Sequence, residues 1–355
     1  MLGLGCDISY RLVAIALACM VQVIMSGGAP HPEGVRDMTQ KWAESRVSEL
    51  SRQAKAAAIA RGQKEPGTFL LTMIVKNEAK RLDRSLPVWA PLIDAWVIGV
   101  DRNNTDNTEE VIKKHLGGVP GEILIVDFDG MGPTWTKVVQ HGQKKYPDVT
   151  HGILSDADFT PLPETLSKWD LDRSCSKLLF TVLEADGTGT KVMDWMYRNI
   201  PGARVERRTH QILLVPQTSE DQMEYQRQIG FTVKEFVGGY QDRAGNKSGR
   251  YIDWLLKDLE ELPGDARTIY YLGKEHMELA GENPIPDLRS NPQGPAAYHL
   301  YKSMEYYKVH AHTHARTHTH TSRWCTTRSF LSLSYGLLQG PHTHPRYMDG
   351  VCLYG

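Results

Sequence analysis

Two carboxylates separated by one residue, Asp156 and Asp158, follow the short apolar run His151–Leu154. A run of this length between polar residues predicts a buried strand. Residues two apart in an extended segment point to the same side, so both carboxylates can face one ligand. Paired hard oxygens suit Mg²⁺ or Mn²⁺, with a phosphate group supplying further ligands. A solvated turn would also fit this pair alone, so the surrounding elements decide its meaning.

The elements that must position the pair alternate between strands and helices. Such alternation predicts an α/β fold with a mainly parallel sheet that is covered on both faces. In an open sheet of that kind, ligands bind at the carboxyl ends of the strands. The predicted strands span residues 68–75, 95–100, 122–128 and the run that delivers the pair; the helices between them span 79–89, a stretch ending at 116, and 134–145.

Polar residues cluster at the predicted carboxyl ends of three of these strands. A Glu at the start of a helix is also favoured by the helix dipole, and Asp106 can equally serve as an N-cap. Ligand contact and local helix stabilisation are therefore both open for these residues. The clusters are Lys76-Asn77-Glu78, Asp101 with Asp106, and Asp156 with Asp158.

Three motifs in this order resemble the nucleotide-binding half of family-2 glycosyltransferases, which have the GT-A fold. The chain reads MIVKNE from Met73, Val100-Asp101 followed by Thr105-Asp106-x-Thr108, and LSDAD from Leu154. The family commonly reads MIVKNE, VDxxSTDxT and LDAD at these places, and the resemblance covers about residues 69–161. It implies a GT-A nucleotide-diphospho-sugar transferase sandwich that transfers a sugar with inversion, using Mn²⁺ or Mg²⁺. The implied partners are a nucleotide-sugar donor and an acceptor that is a glycan, a protein or a lipid.

The resemblance also implies roles for individual residues. Asp101 corresponds to the carboxylate at the uracil or ribose end of the nucleotide, and Asp106 to a second acidic residue on that loop. Asp156 corresponds to the aspartate near the ribose, and Asp158 to the aspartate that ligates the metal. The implied nucleotide-sugar site comprises Asn77, Glu78, Asp101, Asp106 and Asp156, and the implied metal ligands are Asp158, Asp156 and His210.

The acceptor side of the expected site departs from the family. Relatives often read G-x-x-x-E-G-x-x-H-E, and Glu206 and His210 fall on matching positions, but Gln211 replaces the final Glu. An amide cannot take a proton, so if that Glu is the base in relatives, the role is vacant or has moved. His210 can also be a packed histidine beside an apolar strand. The candidate bases that remain are Glu184, Asp186 and Glu206.

The sequence of the N-terminal region indicates a targeting segment and not a catalytic one. Arg11, an apolar run over residues 12–25 and small residues after it have the layout of a signal peptide or a membrane anchor, over residues 1–30. A buried helix or a misassigned start would also fit this segment, because a single Arg is a weak basic region. If that segment functions, the protein enters the secretory pathway or Golgi; otherwise it is cytoplasmic. Residues 31–66 contain an amphipathic helix that can serve as a stem, followed by the transferase domain over 67–250.

The sequence of the C-terminal part predicts helices that are followed by a low-complexity segment. Residues 251–308 resemble a tetratricopeptide unit, with Leu272-Gly273 placed as in its first helix. One such unit cannot bury its own face, so either it docks on the transferase domain or the repeat array has been lost. Residues 309–355 read as a disordered tail, and seven of the fourteen histidines lie between His310 and His344.

Composition excludes some classes and leaves two rivals. A net charge of -1 gives no electrostatic case for nucleic acid, and five scattered cysteines predict neither a zinc site nor a disulfide framework. The main alternative is a non-catalytic helical scaffold with a degenerate glycosyltransferase domain, which Gln211 favours. A nucleotidyltransferase would need a glycine-rich phosphate loop after its first strand, and residues 72–78 contain none.

Overall fold

The computed structural model describes residues 49–185, 187, 189–216, 224–236, 247–281 and 295–317. The chain divides into two compact units, one ending at Lys247 and one beginning at Ser248. No helix in those ranges is long and apolar enough to cross a membrane. The predicted signal segment, residues 31–48 of the predicted stem, the candidate base Asp186 and the chain after Thr317 lie outside the described residues.

Within the described residues, the first unit contains ten strands, of which the first four begin and end close to the predicted positions. They are β1 Phe69–Val75, β2 Ala95–Asp101, β3 Gly121–Val126, β4 His151–Leu154, β5 Phe159–Pro161, β6 Cys175–Leu183, β7 Thr190–Arg198, β8 Arg204–Glu206, β9 Ile212–Leu214 and β10 Glu224–Glu235.

Helices cover the sheet of the first unit and make up the second. In the first unit they are α1 (residues 49–60), α2 Ala79–Trp89, α3 Thr108–Leu116 and α4 Met131–Lys145. In the second they are α5 Lys247–Glu261, α6 Ala266–Ala280 and α7 Pro295–Thr317.

An eight-stranded sheet in the order β3-β2-β1-β4-β7-β6-β10-β5 forms the centre of the first unit. The strands β3, β2, β1 and β4 run parallel. β7 is antiparallel to β4 and β6, whereas β10 is parallel to β6 and antiparallel to β5. The predicted α/β fold with a mostly parallel sheet is confirmed. The carboxyl ends of β1, β2 and β4 lie on one edge, where the polar clusters follow them.

The sequence of β1 explains its central position. All seven residues are apolar or Thr, as expected for a strand covered on both faces. Phe69 packs against Trp89 of α2 and Phe231 of β10 on one face, while Leu70 packs with Val138 of α4 on the other. Because side chains alternate along a strand, this run joins the two hydrophobic layers and fixes the direction in which β1 ends.

The helical unit has a small core of its own. Leu255 of α5 and Leu272 of α6 are buried together, with Tyr306 of α7 packed against them. A Cβ on Gly273 would lie 2.9 Å from the Tyr307 ring, so this glycine lets α6 and α7 approach closely. The helix α7 continues to Thr317, past the boundary at residue 309 where the sequence predicted a disordered tail.

Candidate active site

The loops after β1 and β2 are locked together by asparagine side chains. The Asn77 backbone N–H donates to Asn104 Oδ1 at 2.7 Å, and Asn77 Oδ1 accepts from the Thr105 N–H at 2.7 Å. Asn77 has a φ of 54°, a left-handed conformation that Asn adopts more readily than most residues. The predicted ligand residue Asn77 therefore has a clear structural role at this edge of the sheet.

Asp106 uses both carboxylate oxygens to hold the starts of α2 and α3. Its Oδ2 accepts from the Ala79 N–H at 3.1 Å, and its Oδ1 accepts from the Thr108 N–H at 3.0 Å and from Thr108 Oγ1 at 2.5 Å. Burial alone would raise the pKa of Asp106, but these hydrogen bonds outweigh it and lower the pKa. The formal N-cap of α3 is Asn107 and not Asp106, but the Asp106 carboxylate accepts from the N–H of the first helical residue, Thr108.

Asp101 is the last residue of β2, and its buried carboxylate lies beside the loop that follows and beside Lys76. Its side chain is 8% exposed, and its Oδ1 accepts from the Asn103 N–H at 2.7 Å. Lys76 Nζ lies 3.5 Å from the same oxygen. The family resemblance assigns this residue to nucleotide binding, and its place at the carboxyl edge of the sheet is compatible with that role.

Asp156 and Asp158 lie where β4 leaves the sheet. Ser155 N–H still pairs with Thr72 of β1, and the chain then turns so that the Asp158 carbonyl accepts from the Phe236 N–H at 3.1 Å. Burial is the main cause that raises the pKa of both carboxyls well above the usual range, and neighbouring carboxylates raise it further. The surrounding protein therefore disfavours the ionised form of both carboxyls.

Glu235, at the end of β10, is a third carboxylate at this edge that the sequence analysis missed. After burial, its charge is the largest influence that raises the pKa of Asp158, and it also raises that of Asp156. Lys191 of β7 forms an ion pair with Glu235 at 2.7 Å and partly offsets the effect on Asp156. The alternation of buried Ile229, Phe231 and Val233 could have revealed β10.

Glu78 closes the acidic group from the side of α2. It is 5% exposed, and its Oε2 accepts from Arg81 at 3.0 Å. Its charge raises the pKa of Asp156 and Asp158, whereas Arg81 lowers that of Asp158. The predicted residues Glu78, Asp156 and Asp158 thus influence one another, with Glu235 as the unpredicted member.

The loop between β8 and β9 covers the start of α4. The Met131 N–H and the Gly132 N–H donate to the carbonyls of Arg208 and Arg207, each at 2.8 Å. Arg207 and His210 both have positive φ values, 74° and 48°. Because a Cβ at position 132 would collide with the Arg207 carbonyl, Gly132 is needed for this approach. His210 is therefore held in a conformation that is uncommon outside glycine.

Two of the predicted bases, Glu206 and Glu184, lie within the described residues. Glu206 accepts from Arg204 at 2.9 Å and lies 3.4 Å from Arg207, so its charge is already compensated. Glu184 lies in the turn between β6 and β7, where its backbone N–H donates to the Gly189 carbonyl at 3.0 Å. Gln211 follows His210 directly, and no proton acceptor replaces it at that position.

A divalent cation requires several donor atoms that converge on one point. Within the described ranges, no three His, Cys, Asp or Glu side chains converge to hold a metal ion, so Asp156, Asp158 and His210 do not form a three-ligand group. Mg²⁺ is commonly held by one or two carboxylates together with substrate phosphates and water. Asp156 and Asp158 fit that smaller requirement, and His210 is not needed for it.

Comparisons with known proteins do not assign this chain to a family. No protein-family model matches the chain, and no curated protein matches it. Among solved structures, the inositol-1-phosphate CTP transferase from T. maritima is similar over 50% of this chain and 93% of its own, with 12% identity and a TM-score of 0.27. A similarity at that TM-score supports no conclusion about activity.

Proposed function

We propose that this chain is a glycosyltransferase of the GT-A type, which transfers a sugar from a nucleoside-diphosphate donor to an acceptor. The observation that carries the proposal is the pair Asp156 and Asp158 at the carboxyl edge of a mostly parallel sheet, with excess negative charge around it. The ordered motifs that end β1, β2 and β4 supply the family context.

In the proposed reaction, the buried Asp101 and the interlocked loops hold the nucleoside. Asp156 and Asp158 would hold Mn²⁺ or Mg²⁺, which neutralises the charge that develops on the departing diphosphate. Glu78 and Arg81 border the pair on the side of α2. Glu235, whose charge raises the pKa of Asp158, is the carboxylate that we propose to accept the proton of the acceptor hydroxyl, and its ion pair with Lys191 would have to open for that role.

The decisive experiment measures thermal stability of the full chain with a panel of nucleoside diphosphates and nucleotide-sugars, with and without Mn²⁺. We expect a nucleoside diphosphate to raise the melting temperature only with Mn²⁺, and Asp158→Asn to abolish that increase, because an amide is a poor ligand for a hard cation.

Asp127→Asn is the matched control. Asp127 follows β3 at the same edge, but its side chain is 72% exposed and paired with Arg102, so this variant should respond like the wild type. Unchanged Mn²⁺-dependent binding in Asp158→Asn would exclude the assignment of the pair. If no compound on the panel stabilises the wild type, the non-catalytic scaffold is the better explanation.

A further inference from the structure

Two histidines meet end-on between α6 and α7, far in sequence from the proposed site. His276 Nδ1 and His299 Nδ1 are 2.9 Å apart, and the ring centroids are 5.2 Å apart with an interplanar angle of 33°. The rings therefore meet at their nitrogens and do not stack on each other. Tyr306 stacks on His276 at 5.6 Å, and the His276 residue is only 5% exposed.

A contact between two Nδ1 atoms restricts how many protons the pair can hold. In the neutral pair, one Nδ1–H donates to the lone pair of the other ring. A first added proton can occupy the Nε2 of the donating ring, which leaves a charge-assisted hydrogen bond in place. A second added proton can bind only to the Nδ1 that accepts the hydrogen bond. Two N–H groups on two positively charged rings would then face each other.

We propose that the contact between His276 and His299 is an acid-sensitive latch, which holds α6 against α7 with at most one added proton and opens when both rings are charged. The neutral contact joins helices that also pack through Tyr306 and Leu272. Opening therefore separates α6 from α7 at the two histidines and weakens the nearby hydrophobic contacts of Tyr306 and Leu272.

The charges around the latch favour opening in acid. Burial, then the charge of His299, then that of Lys302 lower the pKa of His276 to about 4. On α7, Glu305 is paired with Lys302 at 2.8 Å, and Tyr298 and Tyr306 present aromatic rings. Glu275 on α6 and Asp258 on α5 are the buried carboxyls of the same unit within the described residues.

The sign of the effect follows from the direction of that shift. A histidine with a lowered folded-state pKa takes up its proton more readily when unfolded. Stability from the latch is therefore complete above pH 6.5 and is lost as the pH falls toward 4. The loss acts on α6 and α7 in particular, because both rings of the latch lie on these helices.

The test is hydrogen exchange of the full chain between pH 7 and 4.5, resolved by peptide and corrected for the intrinsic exchange rate. We expect amide protection in α6 and α7 to fall at least about tenfold in the wild type, and clearly less in His276→Phe, which keeps a ring against Tyr306. His141→Phe is the control, because His141 lies on α4 and pairs with Glu122.

The comparison between variants is essential because His151, buried in the first unit, also has a pKa lowered to about 4. If His276→Phe does not fold, His299→Gln serves instead, since its amide can donate to His276 but cannot become charged. An equal loss of protection in wild type and variant, or no loss in the wild type, would overturn the proposal.

Discussion

Each of the two units brings two titratable side chains of the same kind close together, and the two pairs differ in how their polar atoms are satisfied. The imidazoles of His276 and His299 satisfy each other, because one can donate while the other accepts. The carboxylates of Asp156 and Asp158 cannot do so when both are ionised, and Glu235 and Glu78 add charge of the same sign. The histidine pair thus forms a hydrogen bond of its own, whereas burial and the neighbouring carboxylates disfavour the ionised form of the acidic pair.

A carboxylate at this edge of the sheet does not necessarily have a raised pKa. Asp106 is surrounded by donors, and its pKa is lowered. Asp156 has a raised pKa. These two aspartates therefore contribute to stability with opposite signs, and mutations can separate them.

The largest expected effect is that of Asp106→Ala. We expect it to reduce the free energy of unfolding by about 2–3 kcal/mol, because the N–H groups of Ala79 and Thr108 lose their acceptor at two helix starts. Urea denaturation measures the change, and Asp127→Ala should cost less than about 0.5 kcal/mol. A cost for Asp106→Ala as small as that of the control would contradict the structural role of Asp106.

A smaller effect of opposite sign is expected for Asp156→Asn. A carboxyl with a raised folded-state pKa contributes stability below its unfolded pKa, and this is lost as the pH rises through the folded value. Removing the charge should therefore stabilise the free protein at pH 8 by about 1–2 kcal/mol, after allowance for solvent at the partly exposed side chain.

Denaturation of this variant at pH 8 and pH 4 checks the prediction. The gain should shrink toward pH 4, where the wild-type carboxyl is itself protonated, and Mn²⁺-dependent nucleotide binding should be lost at neutral pH. An Asp156→Asn variant that is less stable than the wild type at pH 8 would show that the pair is compensated in some other way.

The smallest expected effect concerns the tail. Deleting residues 318–355 removes four of the fourteen histidines but none of α7, in which His310 Nδ1 contacts the Ala266 carbonyl at 2.8 Å. The melting temperature should stay within about 1 °C of the full chain, since no described contact is removed. The acid response of α6 and α7 should also persist. A lost response would assign it to the tail and not to His276 and His299.

Much of the acidic site could be predicted because its residues end predicted strands. Asp101, Asp156 and Asp158 follow apolar runs directly, and parallel pairing then brings those ends to one edge. Glu235 could not be placed this way. It belongs to β10, whose neighbours β6 and β5 are distant in sequence, so its proximity depends on long-range pairing that a local pattern does not encode.

Other differences have local physical causes. From the sequence alone, Asp106 could cap a helix or bind a ligand. Its capping of α2 depends on whether the carboxylate reaches the Ala79 N–H across two loops, and a local sequence pattern does not give that distance. His210, expected as a third metal ligand, does not converge with the two aspartates in the described part of the chain. The end of α7 at Thr317 was missed because the repeating His and Thr residues suggested low complexity.

The interlocking of the loops after β1 and β2 has a consequence for the energetics of ligand capture. Asn77 and Asp106 fix both segments through hydrogen bonds that need no ligand. Ordering a flexible segment on association costs conformational entropy, which is subtracted from the affinity. Here most of that cost is met during folding, so the loops are preorganised. An incoming nucleotide would then find a rigid surface and would bind without a large ordering penalty.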